Sequence, residues 1–123
     1  MQHTFRILFV EDEAYFQKIY GQYFEKKGHH VTYAPNGEEA IKLLKSNSYD
    51  IILSDLIMPF MSGIKFLKEI KKKFKGHIIV LTALTGETDR QDAINAGAHQ
   101  FCSKESSNPE QILNTIMSCC AKH

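Results

Sequence analysis

The amino-acid sequence predicts an α/β domain in which five parallel strands form one sheet with helices on both faces. Two observations indicate this class. Apolar stretches of strand length alternate five times with stretches of helical periodicity, a pattern typical of parallel strands joined by helical crossovers. Three of the five apolar stretches are almost free of polar residues, as expected for strands that are buried on both faces.

The predicted strands set the order of the sheet. They span residues 6–10, 29–34, 50–54, 77–83 and 99–103. The first, third and fourth contain continuous apolar runs (ILFV, DIILS and IIVLT) and belong at the centre, whereas the second and fifth carry polar residues and suit the edges. The resulting order, 2-1-3-4-5, is the flavodoxin-like three-layer sandwich, whose functional crevice lies at the carboxyl ends of strands one and three.

Three of the intervening helices show an apolar stripe at spacings of three and four residues. The stripes comprise Phe16, Ile19, Tyr20, Tyr23 and Phe24 in the first helix, Gly63, Phe66, Leu67, Ile70 and Phe74 in the third, and Ile112, Leu113, Ile116, Met117 and Cys120 in the last. Asn108, Pro109 and Gln111 suit the N-cap, first and third positions of a helix, so the last helix is predicted to begin there.

Composition narrows the class of protein. The 123 residues suit one domain, which we expect to span 1–123 with no separate output domain. The net charge of +1 indicates no general affinity for nucleic acid or anionic lipid, and no apolar run approaches the ~20 residues of a membrane span. The start lacks a secretory signal, and three cysteines without a disulfide-like spacing fit a reducing compartment. We therefore expect a cytoplasmic protein.

Acidic residues follow two central strands of the predicted sheet. Glu11 and Asp12 come directly after strand one, and Asp55 comes directly after strand three, inside the apolar segment YDIILSDLIMP. Thr82 and Lys104 end strands four and five at the same edge. One ammonium cannot neutralise three carboxylates, and like charges this close raise one another's pKa. A hard divalent cation with oxygen ligands is the natural partner, and Mg²⁺ suits a few carboxylates and a phosphate.

Five segments in this order resemble the response-regulator receiver domain of the CheY type. They are ILFVEDE (7–13), APNGEEAI (34–41), DIILSDLIMPFMSG (50–63), IIVLTA (78–83) and GAHQFCSK (97–104). The resemblance covers essentially the whole chain. It implies a signalling module, not an enzyme, that receives a phosphoryl group from a phosphohistidine on a histidine kinase or histidine phosphotransfer protein.

The resemblance also implies roles for individual residues. Asp55 would be the phosphoacceptor, and Mg²⁺ would be held by Glu11, Asp12, Asp55 and the backbone carbonyl of Ile57. Thr82 and Lys104 would bind the phosphate. On phosphorylation, Thr82 would move toward the phosphate and Phe101 would turn inward. This would shift a surface of helix four, strand five and helix five (85–120), which binds a protein target rather than nucleic acid or a membrane.

Four positions depart from the family pattern. Glu105 follows Lys104 where the family usually has proline, so a cis bond is not expected there, because cis costs ~3 kcal/mol before other residues. Phe101 lacks the hydroxyl of the commoner tyrosine. Ile57 and Leu84 are apolar at two positions that influence attack of water on the acyl phosphate, which predicts slow self-dephosphorylation.

Other interpretations remain open at this point. The chain could be a receiver-fold scaffold that is never phosphorylated, although scaffolding does not need the acidic cluster. A phosphatase with an aspartyl nucleophile would need an acid at position 57, and a flavin carrier would need a Ser/Thr/Gly-rich loop after strand one. The basic run KFLKEIKKKFKG (65–76) could be a docking patch or the solvated face of a helix. His29 and His30 are adjacent on a predicted strand and point to opposite faces.

Overall fold

A computed structural model describes residues 4–120, apart from the side chain of Cys120. Five parallel strands form one sheet in the order β2-β1-β3-β4-β5, which confirms the predicted topology. The strands are β1 (Arg6–Val10), β2 (His30–Ala34), β3 (Ile51–Ser54), β4 (His77–Thr82) and β5 (Gln100–Ser103). Each begins within one residue of its predicted start.

Five helices cover the sheet in the described part of the chain. Helix α1 consists of three consecutive segments, Ala14–Phe16, the π-helical Gln17–Gly21, and Gln22–Lys26. The others are α2 (Gly37–Ser46), α3 (Gly63–Ile70), α4 (Glu87–Ala96) and α5 (Pro109–Cys120). Asn108 and Gln111 cap α5 reciprocally, since the Gln111 N–H donates to Asn108 Oδ1 at 2.9 Å and the Asn108 N–H donates to Gln111 Oε1 at 3.2 Å.

The core is divided into two layers by the sheet. Alternate residues of the central strands point to opposite faces. Leu8 and Ile52 join the cluster under α2, α3 and α4, which also contains Phe66. Phe9 and Leu53 join the cluster under α1 and α5. Because both faces are covered, the central strands can be apolar throughout, and the predicted three-layer sandwich is confirmed.

Two of the predicted apolar stripe positions are wrong. Ile19 is 41% exposed because the π-helical segment of α1 inserts an extra residue into the turn, so that Gly21 is buried together with the predicted Tyr20. Met117 is 40% exposed because it lies ~100° around α5 from the buried Ile116. The stripe of α3 is confirmed from Gly63 to Ile70, whereas Phe74 is half-buried and lies beyond the end of this helix. The predicted stripe position of the Cys120 side chain lies outside the described residues.

His29 lies just before β2 rather than on it, which corrects the sequence prediction. Its ring is buried and stacks on Phe5 with the ring centres 5.3 Å apart. The Phe5 N–H donates to His29 Nδ1 at 3.1 Å, so the ring accepts this bond through an unprotonated nitrogen. Burial, assisted by the nearby His30, lowers the pKa of His29 below 6.5.

This buried histidine should make the fold sensitive to acid. A group whose pKa is lowered by folding contributes stability that is complete above its unfolded pKa and is lost as the pH falls through the folded value. We therefore expect the free energy of unfolding to fall less between about pH 7 and about pH 5 in His29→Asn than in wild type. Urea unfolding at several pH values measures this. His99→Asn is the control, because His99 is exposed and its Nδ1 also accepts a backbone N–H, that of Ile78 at 3.0 Å. An unchanged slope in His29→Asn would contradict the prediction.

Candidate functional site

The carboxyl ends of β1 and β3 position the two buried acids of the site. The sheet ladder continues one residue beyond each strand, because the Glu11 N–H donates to the carbonyl of Ala34 at 2.9 Å and the Asp55 N–H donates to that of Val10 at 3.1 Å. Both backbones are therefore tied to the neighbouring strand by a sheet-like hydrogen bond. Their side chains meet at one crevice at this edge of the sheet, as the topology predicts.

Asp55 is only 3% exposed, yet both of its carboxylate oxygens have partners. Oδ1 accepts hydrogen bonds from the N–H groups of Leu56 at 2.7 Å and Ile57 at 3.2 Å. Oδ2 lies 2.9 Å from Lys104 Nζ. Burial of a carboxylate is costly unless it is paired and hydrogen-bonded, and these contacts explain how the apolar segment tolerates an acid.

Lys104 is the cation at the centre of the site. Its Nζ lies 2.8 Å from Glu11 Oε1, 2.9 Å from Asp55 Oδ2 and 3.0 Å from Glu13 Oε1. It also lies 4.0 Å from the centre of the Phe16 ring, within cation–π distance. Burial by itself lowers the pKa of Lys104, but the hydrogen bonds with Asp55, Glu11 and Glu13 outweigh it and raise this pKa. The ammonium group therefore stays charged.

Glu11 is fully buried and incompletely satisfied. Burial raises its pKa, the hydrogen bonds from Lys104 and the Glu13 N–H lower it, and the charge of Asp55 raises it again. Oε2 accepts the Glu13 N–H at 3.0 Å. Oε1 lies 2.8 Å from Lys104 Nζ and has no other polar partner in the described part of the chain. A buried oxygen with unused acceptor capacity is thus directed into the crevice.

The carboxylates of Glu11, Asp12 and Asp55 fit a hard divalent cation. One oxygen of each lies within 4.8 Å of the others. Asp12 is exposed, so the cluster is open on one side to water or a ligand. Oxygen donors, an unsatisfied acceptor on Glu11 and an open side match Mg²⁺, which keeps several of its waters.

Thr82 and Phe101 lie on the neighbouring strands. Thr82 is buried at the end of β4, and its carbonyl accepts the Lys104 N–H at 2.8 Å, which ties the ends of β4 and β5 together. Its Oγ1 lies 3.4 Å from the Leu84 N–H. Phe101 is half-buried and packs against the core under α2, α3 and α4 rather than against the acids. The Lys104–Glu105 bond is trans, as expected without proline.

Three contributors to the site were missed by sequence reasoning. Glu13 forms an ion pair with Lys104, Phe16 supplies the ring beneath the ammonium, and Gln17 donates from Nε2 to the Glu11 carbonyl at 2.6 Å. All three lie in the first turns of α1 or, for Glu13, at the residue that precedes it. Their closeness in sequence to Glu11 was the only feature that could have indicated them. The direction in which α1 leaves the sheet decides which of its side chains contact the crevice, and that direction is known only from the structure.

The doubly wound α/β fold with acids and a lysine at this crevice matches a receiver-type signalling domain, whereas a nucleotide-binding domain would have a glycine-rich loop there. Comparison with known families agrees. The sequence model of the response regulator receiver domain matches residues 7–117. The chain belongs to the response regulator receiver domain family.

Relatives and solved structures resemble the chain closely. The transcriptional regulatory protein ResD of Bacillus subtilis is 36% identical over 108 residues, which are 88% of this chain and 45% of ResD. The chemotaxis response regulator CheY4 of Vibrio cholerae is 27% identical with a TM-score of 0.86, covering 95% of this chain and 99% of that one. The receiver domain of the sensor histidine kinase PA1611 of Pseudomonas aeruginosa, solved with magnesium in its active-site cleft, is 25% identical with a TM-score of 0.86, covering 98% and 100%.

The family defines the role of the chain in broad terms. Receiver domains of response regulators are phosphorylated by histidine kinases in two-component systems, and the acidic cluster matches the active site of these switches. The chain spans less than half the length of the curated relatives it matches. Among residues 4–120, no helix has the length and apolarity needed to cross a membrane.

Proposed function

We propose that Asp55 accepts a phosphoryl group from a phosphohistidine on a histidine kinase or histidine phosphotransfer protein. The observation that carries this proposal is the set of contacts that the Asp55 carboxylate makes. Oδ1 is oriented by two backbone N–H groups, and Oδ2 faces Lys104 in a crevice that is open beside Asp12. A purely structural aspartate would not need two further acids within 4.8 Å of it.

The transfer is an in-line displacement. A carboxylate oxygen of Asp55 attacks phosphorus, the P–N bond to the donor imidazole breaks, and the imidazole leaves with the electron pair and takes up a proton. Lys104 and the N–H groups near Leu56 and Ala83 would stabilise the phosphoryl oxygens, because this chemistry needs positioning and charge neutralisation more than acid–base catalysis.

Glu11, Asp12, Asp55 and the backbone carbonyl of Ile57 would hold Mg²⁺ beside the acceptor. The clustered carboxylates and the unsatisfied Glu11 oxygen support this assignment, as does the magnesium in the cleft of the PA1611 receiver domain. When bound, the ion neutralises charge on the transferring group. Lys104 alone cannot do so, since it already faces three carboxylates.

The output would be a shift of the surface formed by α4, β5 and α5. Phosphorylation places a group of about −2 charge where −1 stood, which would draw Thr82 toward the phosphate and let Phe101 turn inward. We propose that this surface binds a protein target, that the chain acts in the cytoplasm as a signalling regulator rather than an enzyme, and that it contacts neither nucleic acid nor a membrane. An unphosphorylated scaffold would leave the acidic crevice without a role.

Incubation with Mg²⁺ and acetyl phosphate tests the proposal. We expect intact-mass spectrometry to show one phosphoryl group on the wild-type chain, and none after chelation of the metal or in Asp55→Asn. Asp92→Asn makes the same chemical change at an exposed position of α4 and should be phosphorylated like wild type. Equal phosphorylation of Asp55→Asn and wild type would refute Asp55 as the acceptor.

The acyl phosphate should be long-lived because the two side chains beside it cannot orient water. Ile57 is 53% exposed next to the acceptor, and Leu84 is half-buried against the apolar core. We expect Ile57→Asn and Leu84→Glu each to shorten the phosphoryl lifetime several-fold, measured as loss of the phosphoryl mass after donor removal. Ile19→Asn, at another exposed isoleucine, is the control. No shortening in either variant would refute this explanation.

A further inference from the structure

A second cavity lies at the edge of the sheet opposite to the acidic crevice. It is about 400 Å³ in volume and is bounded by the carboxyl-terminal parts of α2 and α3 and by the segments that lead into β3 and β4. That volume lies within the range of small-molecule sites. The residues that line it do not include any of the candidate phosphorylation site, so it needs a separate explanation.

The floor of this cavity is apolar. Its apolar side chains belong to α2, α3 and the chain just beyond them, and they are Ile41, Leu44, Tyr49, Ile70 and Phe74. Ile70 is buried, while the other four are only half-buried and pack at the margin of the core under α2, α3 and α4. Among residues 4–120, therefore, nothing completes the burial of these four side chains. The hydrophobic effect favours an apolar ligand there.

Backbone contacts fix the shape of the floor before any ligand binds. A Cβ at Gly76 would lie 2.3 Å from the carbonyl oxygen of Asp50 and 2.6 Å from the Phe74 ring, so the ring can pack here only because residue 76 has no side chain. The Arg6 guanidinium lies 5.9 Å from the centre of the Tyr49 ring. The Arg6 N–H donates to Asp50 Oδ2 at 2.8 Å, which anchors the same corner.

The rim of the cavity is positively charged. Lys45, Lys73 and Lys75 line it together with one acid, Glu69. The ion pairs of the described residues involve other lysines, so the three ammonium groups at the rim have no carboxylate within 4.0 Å in that part of the chain. Lys71 Nζ, by contrast, donates to the Asn95 carbonyl at 3.3 Å. Within the basic run 65–76, Lys71 thus contacts the end of α4, whereas Lys73 and Lys75 lie at this rim.

We propose that this cavity binds a small amphiphile that has an apolar chain or ring and one carboxylate. The apolar part would lie on the floor, and the carboxylate would lie among Lys45, Lys73 and Lys75. The lining takes about one turn of α2 (41–45), the last two residues of α3 and part of the turn that follows it (69–74). A helical peptide would need anchors over two or more turns, so the dimensions favour a small molecule.

Titration of the full chain with sodium decanoate, followed by amide NMR, tests this proposal. We expect saturable shifts at Leu44, Tyr49 and Gly76, and weaker binding of the cationic homologue decyltrimethylammonium. Lys73→Glu should weaken decanoate binding by about fivefold or more, because a repulsive charge replaces an attractive one. Lys68→Glu is the matched control, since this exposed residue of α3 does not line the cavity.

Each result of the titration supports or overturns the proposal. Equal affinity for the two homologues, equal weakening by Lys68→Glu and Lys73→Glu, or no saturation would overturn it. An acidic, apolar peptide that binds the same residues while decanoate does not would assign the cavity to a protein partner instead. Asp55→Asn should bind decanoate like wild type, so this result is independent of the proposed phosphorylation.

Discussion

Replacement of Lys104 by methionine is expected to lower the free energy of unfolding by about 3–5 kcal/mol in the absence of Mg²⁺, the range found when one partner of a buried ion pair is removed. The ammonium lies within 3.0 Å of carboxylate oxygens of Glu11, Asp55 and Glu13. Glu11 and Asp55 are buried. Without the cation these two acids repel each other and lack charge compensation, whereas the methionine keeps most of the apolar contact with Phe16.

Added Mg²⁺ should restore much of that stability, because the metal supplies the positive charge that the variant has lost. We also expect Mg²⁺ to bind Lys104→Met at least about tenfold more tightly than wild type, since the competing ammonium is gone. Urea unfolding with a chelator or with Mg²⁺ measures both effects. Lys68→Met is the control, as an exposed lysine of α3. A variant as stable as wild type without metal, or one indifferent to Mg²⁺, would contradict this description of the crevice.

Replacement of Gly63 by alanine should destabilise the chain by about 2–3 kcal/mol, as expected when a well-packed site is overfilled. Alanine is normally the better helix former by ~1 kcal/mol, so the expected sign is opposite to that of helix propensity. A Cβ at Gly63 would lie 2.4 Å from Leu56 Cα, 2.8 Å from the Leu56 oxygen and 2.9 Å from the Asp55 oxygen. These are backbone atoms of the acceptor segment, so they cannot swing aside.

The clash should also displace the N–H groups that orient Asp55. The Gly63 N–H donates to the Leu56 carbonyl at 2.9 Å, which ties the start of α3 to this segment. We expect slower phosphorylation by acetyl phosphate together with the lower unfolding free energy. Gly86→Ala is the matched control, because a Cβ there meets only the mobile end of the Asp89 side chain. A Gly63→Ala chain as stable as wild type would show that the contact relaxes without cost.

Most of the fold could be predicted because its signals are local. Continuous apolar runs such as Ile51–Ser54 identify central strands, and the reciprocal cap of Asn108 and Gln111 identifies the start of α5. The errors in the apolar stripes had two sources: an irregular backbone in α1, and a stripe in α5 predicted one position too wide, since Met117 follows the buried Ile116. The π-helical segment Gln17–Gly21 turns Ile19 toward solvent, and its residue pattern does not predict the extra residue in that turn.

The sequence by itself determined the strand order and the meeting of Glu11, Asp12, Asp55 and Lys104 at one edge, because parallel strands bring their carboxyl ends together whatever the details of packing. Only the tertiary structure decided how the charge is distributed within that edge. Three features depend on distances of a few ångströms between segments that are remote in the chain. They are the oxygens that Lys104 contacts, the Glu11 oxygen that keeps unused acceptor capacity, and the close approach of Gly63 to the acceptor segment. Such distances follow from the packing of whole helices on the sheet, and local residue patterns do not contain them.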